Sequence, residues 1–189
     1  MPRAGLSRAV VVRAAADLAD VTGFDGLTLA ALAQGLGVAV PSLYKHVDGL
    51  DALRREVSIL ALGELADVLE AATERTAGLD GSARFHALGA AYRVFALGHP
   101  GRYASTVRAS APGDARHAAA ADRVLRAVRG LLADRGLTGD AAIDATRGLR
   151  AGLHGFVMLE TAGGFGMPRD VDRSFERLVT ILDQGIGEG

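Results

Sequence analysis

Cysteine is absent from this chain of 189 residues, and so is tryptophan. Without thiols there is no disulfide, no thiolate nucleophile and no sulfur-ligated metal, which fits a reducing compartment; the expected localisation is cytoplasmic. No apolar run reaches the roughly 18 residues that a membrane span requires, so no membrane is expected among the partners. The opening segment, MPRAGLSRAVVV, holds arginines but neither a long apolar stretch nor a small-residue cleavage site, and no secretory signal is read there. Lysine is nearly missing as well. Lys45 stands alone against twenty arginines, a bias attributed to genomic coding rather than function. Catalytic patterns are equally scarce. His46, His86, His99, His117 and His154 share no helical spacing and have no neighbouring carboxylates that would mark a metal site. Gly35 and Gly37 lack the preceding strand and the lysine of a phosphate loop, and there is no Gly-x-Ser-x-Gly elbow. The expectation is no metal, no cofactor, no catalytic residue and no enzyme.

What is present is a hydrophobic share of 49%, enough for a sizeable core, and a formal net charge of −1. The length suits one all-helical protein with a small and a larger domain. In residues 1–47, Arg3, Arg8, Arg13 and Lys45 stand against Asp17, Asp20 and Asp25, a net of +1. That is a weak electrostatic footprint for a nucleic-acid binder.

The informative stretch is Thr28–Val47, TLAALAQGLGVAVPSLYKHV. Thr28 is suited to cap a helix, because its hydroxyl accepts from backbone N–H groups two or three residues on. Leu29, Leu32, Ala33 and Leu36 then recur at helical spacing. Gly35-Leu36-Gly37 breaks that helix, since glycine enters left-handed conformations without steric cost. Pro41 suits the first turn of a second helix, where its missing N–H is not needed. Leu43 and Val47 face inward with Val38, leaving Val40, Ser42, Tyr44, Lys45 and His46 outward. Two short helices on a glycine turn make a helix-turn-helix, whose second helix fits the major groove. Ser42, Tyr44, Lys45 and His46 have groups for phosphates or base edges, and Val40 or Pro41 for thymine methyls. The same pattern also fits an ordinary helical hairpin with a solvated outer face.

Leu36-Gly37-Val38, Pro41-Ser42-Leu43-Tyr44-Lys45-His46-Val47 and Leu50–Leu53 closely resemble the DNA-binding domain of TetR-family transcriptional regulators. The likeness extends upstream through Ala14–Ala19 and Gly23–Thr28 and covers about residues 7 to 57. It implies a DNA contact set of Thr28, Val40, Pro41, Ser42, Tyr44, Lys45 and His46. Where the family carries a lysine that grips a phosphate at the start of the next helix, this chain has Leu50, with Arg54 or Arg55 as the candidates to compensate. Ala90–Tyr103 resembles the ligand-binding domain of the subgroup named for a Trp-His-Gly motif, although Leu153-His154-Gly155 replaces that motif here.

The expected architecture is all-α, about nine helices, with a helix-turn-helix domain in 1–48 and a helical ligand-binding and dimerisation domain in 49–189. Ser7 is the expected cap of a first helix to about Thr22, and residues 1–6 read either as an arm whose Arg3 reaches a minor groove or as a merely disordered tail. Asp48 is the expected cap of a long helix to about Thr73 that spans both domains. Gly98-His99-Pro100-Gly101 reads as a helix breaker. Arg116, Arg123, Arg126, Arg129 and Arg135 read as a solvated face of a later helix. Tyr92, Phe95, His99, Tyr103, His154 and Met158 are the candidate lining of a pocket for a small, mostly apolar effector on which His99 and His154 could converge; the alternative for each is plain core, and for the two histidines a hydrogen-bonded structural role. The resemblance implies a homodimer built on the last two helices, a double-stranded DNA operator as partner, and a ligand-released repressor. The alternative is a helical ligand- or partner-binding module that keeps the scaffold without specific DNA binding.

Overall fold

A computed structural model of the protein describes residues 6–187; the arm carrying Arg3 lies outside them. Among the described residues there are nine helices and no strand: α1 (Arg8–Thr22), α2 (Leu29–Leu36), α3 (Val40–Leu43), α4 (Leu50–Arg75), α5 (Gly81–Gly98), α6 (Pro100–Ser105), α7 (Ala115–Ala133), α8 (Gly139–Thr161) and α9 (Val171–Gly187). The Ser7 hydroxyl accepts from the Val10 N–H at 3.3 Å, so α1 starts where the sequence predicts. At α4 the first helical bond runs from the Leu53 N–H to the Gly49 carbonyl, with Gly49 at φ 94°. Gly49, rather than Asp48, therefore holds the cap position. The chain forms two compact units. One takes the described residues to Glu64 together with His99–Ala121, the other Leu65–Gly98 with the described residues from Asp122 on.

The first unit closes on Val11, Val12, Ala15, Ala16, Leu27, Leu32, Leu43, Val47, Leu53 and Val57. Burying a leucine such as Leu43 or Leu53 contributes about 2 kcal/mol, so these few side chains carry much of the small core. Pro100 and Gly101 do more than interrupt the chain. They open α6, which packs on α1 so closely that a Cβ on Gly101 would lie 1.9 Å from the Ala19 carbonyl oxygen. Asp20 on α1 supplies the cap that His99 does not, its Oδ1 accepting from the Arg102 N–H at 2.8 Å. The buried Arg102 guanidinium pairs with Asp20 at 2.7 Å and Glu64 at 3.3 Å, and also with Asp17. Deeper in the unit, Ser58 donates to the Ser105 carbonyl, so it must accept from Nε2 of the buried His117. The Nδ1 atom then accepts from Ser110 at 2.6 Å, which leaves His117 a fully bonded structural residue.

In the second unit α5, α8 and α9 pack on one another. Small residues permit it: a Cβ on Gly89 would meet Val179 at 3.0 Å, and one on Gly152 would meet Leu182 at 3.0 Å. Arg93 on α5 binds Glu160 of α8 at 2.8 Å and Asp172 of α9 at 2.7 Å, and lies 4.9 Å from the Phe175 ring centroid. The hydrogen bonds to Glu160 and then Asp172 raise the guanidinium pKa further above its ordinary value. Arg93→Met should destabilise the protein by about 3 kcal/mol, because it strands the largely buried Glu160 carboxylate; urea unfolding measures this.

The expected arginine face on α7 is solvated only in part. Arg116, Arg126 and Arg129 keep more than half of their side chains exposed while pairing with Glu56 and Asp122, but Arg123 binds Asp67 and Glu70 and is less exposed. Arg135, just past α7, is largely buried: it pairs with Asp183 and lies 4.8 Å from the Phe85 ring centroid. Its long apolar stem makes such burial feasible once a carboxylate meets the head.

Candidate nucleic-acid interface

The helix-turn-helix is built from local devices. Thr28 has extended backbone, and its hydroxyl accepts from the Ala31 N–H at 3.2 Å, starting α2. Gly37 ends α2 in a left-handed conformation, φ 66° and ψ 34°, while the Val38 N–H returns to the Ala33 carbonyl at 3.0 Å. This is the turn that the Gly35–Gly37 pair predicts; Gly35 itself stays inside α2. Pro41 occupies the first turn of α3, as expected. The second helix is shorter than Pro41–Val47 suggested: α3 ends at Leu43, and the His46 and Val47 N–H groups both bond the Leu43 carbonyl. Thr28→Ala should cost about 1 kcal/mol of stability through the lost cap, measurable by thermal unfolding.

Leu43 and Val47 are buried, and Pro41, Tyr44 and Lys45 are exposed, Tyr44 to 57%. Ser42 and His46 are half-buried at the edge of this surface, and Thr28 is exposed at the start of α2. Val40 departs from expectation. It is half-buried against the small core, not turned outward, because positions 40, 43 and 47 share one face of a helical turn.

Neither proposed substitute for the missing lysine stands idle. Arg54 donates to the Asp25 carbonyl at 3.0 Å and the Leu27 carbonyl at 3.4 Å, and stacks 5.9 Å from the Phe24 ring centroid. Arg55 binds Asp114 through two nitrogens and Glu56 at 2.8 Å. That pairing, together with the His117 backbone N–H, holds the Asp114 carboxyl at about 2. Both arginines thus fasten the loop before α2 and the start of α7 to α4. Leu50 is half-buried against the core, so its position contributes packing rather than charge. The Phe24–Arg54 and Arg55–Asp114 pairings were invisible in the sequence, which gives the residue types but not their distant partners.

The candidate effector residues divide between the two units. Tyr103 is buried in the first, where His99 Nδ1 accepts from Arg102 at 2.8 Å and lies 3.2 Å from Asp20. Tyr92 and Phe95 are buried on α5 in the second unit, with His154 half-buried and Met158 48% exposed on α8. Burial, and secondarily the charge of Arg150, lower the His154 pKa below its ordinary value. The folded chain therefore holds this proton less readily than the unfolded one. Stability drawn from His154 is present above about pH 6.5 and falls as the pH drops below it. His154→Gln should flatten that part of the profile, leaving pH 8 stability nearly unchanged; urea midpoints at pH 8 and 5.5 give the comparison.

Residues 11–57 match the family described as bacterial regulatory proteins, tetR family, and residues 85–182 match the tetracyclin repressor-like C-terminal domain. The chain is 37% identical over 187 residues to the uncharacterized HTH-type transcriptional regulator YobS of Bacillus subtilis, covering 98% of this chain and 95% of that protein. It is 38% identical over 187 residues to an uncharacterized HTH-type transcriptional regulator of Mycobacterium tuberculosis, covering 97% and 83%. A protein with unknown function from Rhodococcus sp. RHA1 has a similar solved structure, with TM-score 0.77 and 25% identity, covering 100% of this chain and 97% of that one. No described helix is long and apolar enough to cross a membrane. A capped, glycine-turned helix pair with an exposed Tyr44–Lys45 edge, and matches to both family domains, make this chain a member of the TetR family, a DNA-binding transcriptional regulator and not an enzyme.

Proposed function

We propose that the protein is a homodimeric repressor, resident in the cytoplasm, that holds a palindromic operator and is released by a small, mostly apolar molecule. The carrying observation is the exposed edge formed by Pro41, Tyr44 and Lys45 directly after the capped turn. Residues 1–48 are assigned to DNA and 49–189 to ligand and partner subunit. Thr28, Ser42 and His46 complete the contact set, with Val40 restricted to its exposed part. Exposed Ile143 and Leu159 on α8 and Ile181 on α9 supply apolar surface for a second copy. A two-fold dimer would present two α3 segments to successive major grooves about 34 Å apart.

The candidate effector contacts are Tyr92, Phe95 and His154 in the second unit, with Met158 at its surface, and His99 and Tyr103 in the first. A ligand that prefers the released dimer by about 3 kcal/mol would lower operator affinity roughly a hundredfold. The test is selection of genomic fragments by the purified protein, followed by a salt titration. Recovery of a palindrome whose affinity falls steeply with salt supports the proposal. The second reading, a helical module without specific DNA binding, draws on Leu50 being half-buried against the core and on Arg54 and Arg55 being occupied. A folded dimer that enriches no sequence at low salt would establish it.

A further inference from the structure

A cleft in the first unit has no part in the reading above. It is a cavity of ≈ 660 Å³ lined by α1, α4 and the start of α7. Its floor is apolar, formed by Val12, Ile59 and Leu60, with Ala9 on the open wall. Its rim carries Arg8, Arg13 and Arg116 against one carboxylate, Glu56, which is 7% exposed. Glu56 is oversubscribed. Arg8 reaches it at 3.0 Å, Arg55 at 2.8 Å and Arg116 at 2.8 Å and 3.2 Å. Three guanidinium groups bring about fifteen N–H donors, whereas two carboxylate oxygens accept about four. Asp114 takes two donors from Arg55, away from the cleft lining. Arg13 has its own partner in Glu64. The surplus falls on Arg8 and Arg116, whose side chains are 56% and 61% exposed.

We propose that this cleft binds a small anionic amphiphile, with its carboxylate on Arg8 and Arg116 and its apolar body along Val12, Ile59 and Leu60. The volume lies within the ordinary range for small-molecule sites, and the mixture of apolar floor and few charged groups is what such sites contain. The planar fork of arginine suits a carboxylate in particular, since two parallel N–H groups meet its two oxygens. A DNA backbone is the competing occupant of cationic side chains. The concave apolar floor argues against it, because a phosphodiester strand has nothing apolar to offer Ile59 and Leu60. An occupant would bridge α1 to α4 and α7, so binding would add to the stability of the first unit.

The test uses the full-length protein and decanoate as probe, in isothermal titration calorimetry and thermal unfolding. One decanoate per chain should bind at this site and raise the melting temperature, with decanol at least tenfold weaker. Arg8→Ala/Arg116→Ala should lower decanoate affinity at least tenfold. Ala9→Trp fills the cleft from its exposed wall without removing an ion pair, so it serves even if the arginine variant misfolds; it should remove that one site. Decanoate binding unchanged in Ala9→Trp would place the ligand elsewhere and overturn the proposal. Absence of decanoate binding to the parent protein would overturn it too. If the arginine variant weakens DNA binding at low salt while the parent ignores decanoate, the cleft is a backbone-phosphate surface instead.

Discussion

Gly101→Ala is expected to destabilise the protein by about 3 kcal/mol, the upper end of overpacking costs. The new Cβ would lie 1.9 Å from the Ala19 carbonyl oxygen and 2.6 Å from the Asp20 nitrogen. Both obstacles are backbone atoms inside α1, so no side-chain rotation relieves the clash. The response must be a shift of α6 away from α1, which loosens the hold of Arg102 on Asp20 and Asp17. For a chain of this length the loss corresponds to roughly 6–12 °C in melting temperature. Gly98→Ala is the matched control three residues earlier, at the end of α5: nothing lies within 4 Å of its added Cβ. It should change stability by less than about 1 kcal/mol, in the favourable direction if helix propensity decides. Equal melting temperatures for the two variants would show that α6 does not depend on this close approach.

The second large effect is expected on DNA. The double variant Tyr44→Ala/Lys45→Ala should lower operator affinity about a hundredfold or more, since each well-placed contact contributes on the order of 1–3 kcal/mol. Both side chains are exposed and Tyr44 belongs to no core cluster, so folding stability should stay within about 0.5 kcal/mol. The single variants separate two kinds of contact. Lys45→Ala should weaken all sequences alike and reduce the salt dependence by about one unit of slope, whereas Tyr44→Ala should act on the operator more than on random DNA. Parental operator affinity in the double variant at physiological salt, with the dimer folded, would remove both side chains from the interface.

The two variants probe different levels of what a sequence contains. The helix-turn-helix was legible because its determinants are local. The Thr28 hydroxyl bonds a residue three positions away, the Gly37 conformation is available to glycine and to few others, and Pro41 needs only a first turn. Helical periodicity likewise placed the end of α4 to within a few residues, at about Thr73 against Arg75. The errors arose where local pattern met a distant partner. Val40 was assigned outward and is packed against the core, and Arg135 was assigned to a solvated face and is largely buried against Asp183.

By itself, then, the sequence determined an all-helical chain, the capped and glycine-turned pair α2–α3, the exposed Tyr44–Lys45 edge and the absence of thiol chemistry. Tertiary structure alone decided which charges are available. Arg102 meets Asp20 and Asp17 across 82 and 85 residues, Arg55 meets Asp114 across 59, and Arg116 meets Glu56 across 60. It also turned Gly101 from a helix breaker into the contact point of two helices. The physical reason is one of range. Caps, turns and amphipathic stripes are fixed by dihedral preference and hydrogen bonds within a few residues. An arginine, by contrast, is an equally good surface charge or buried ion-pair partner until the packed chain brings a carboxylate to it.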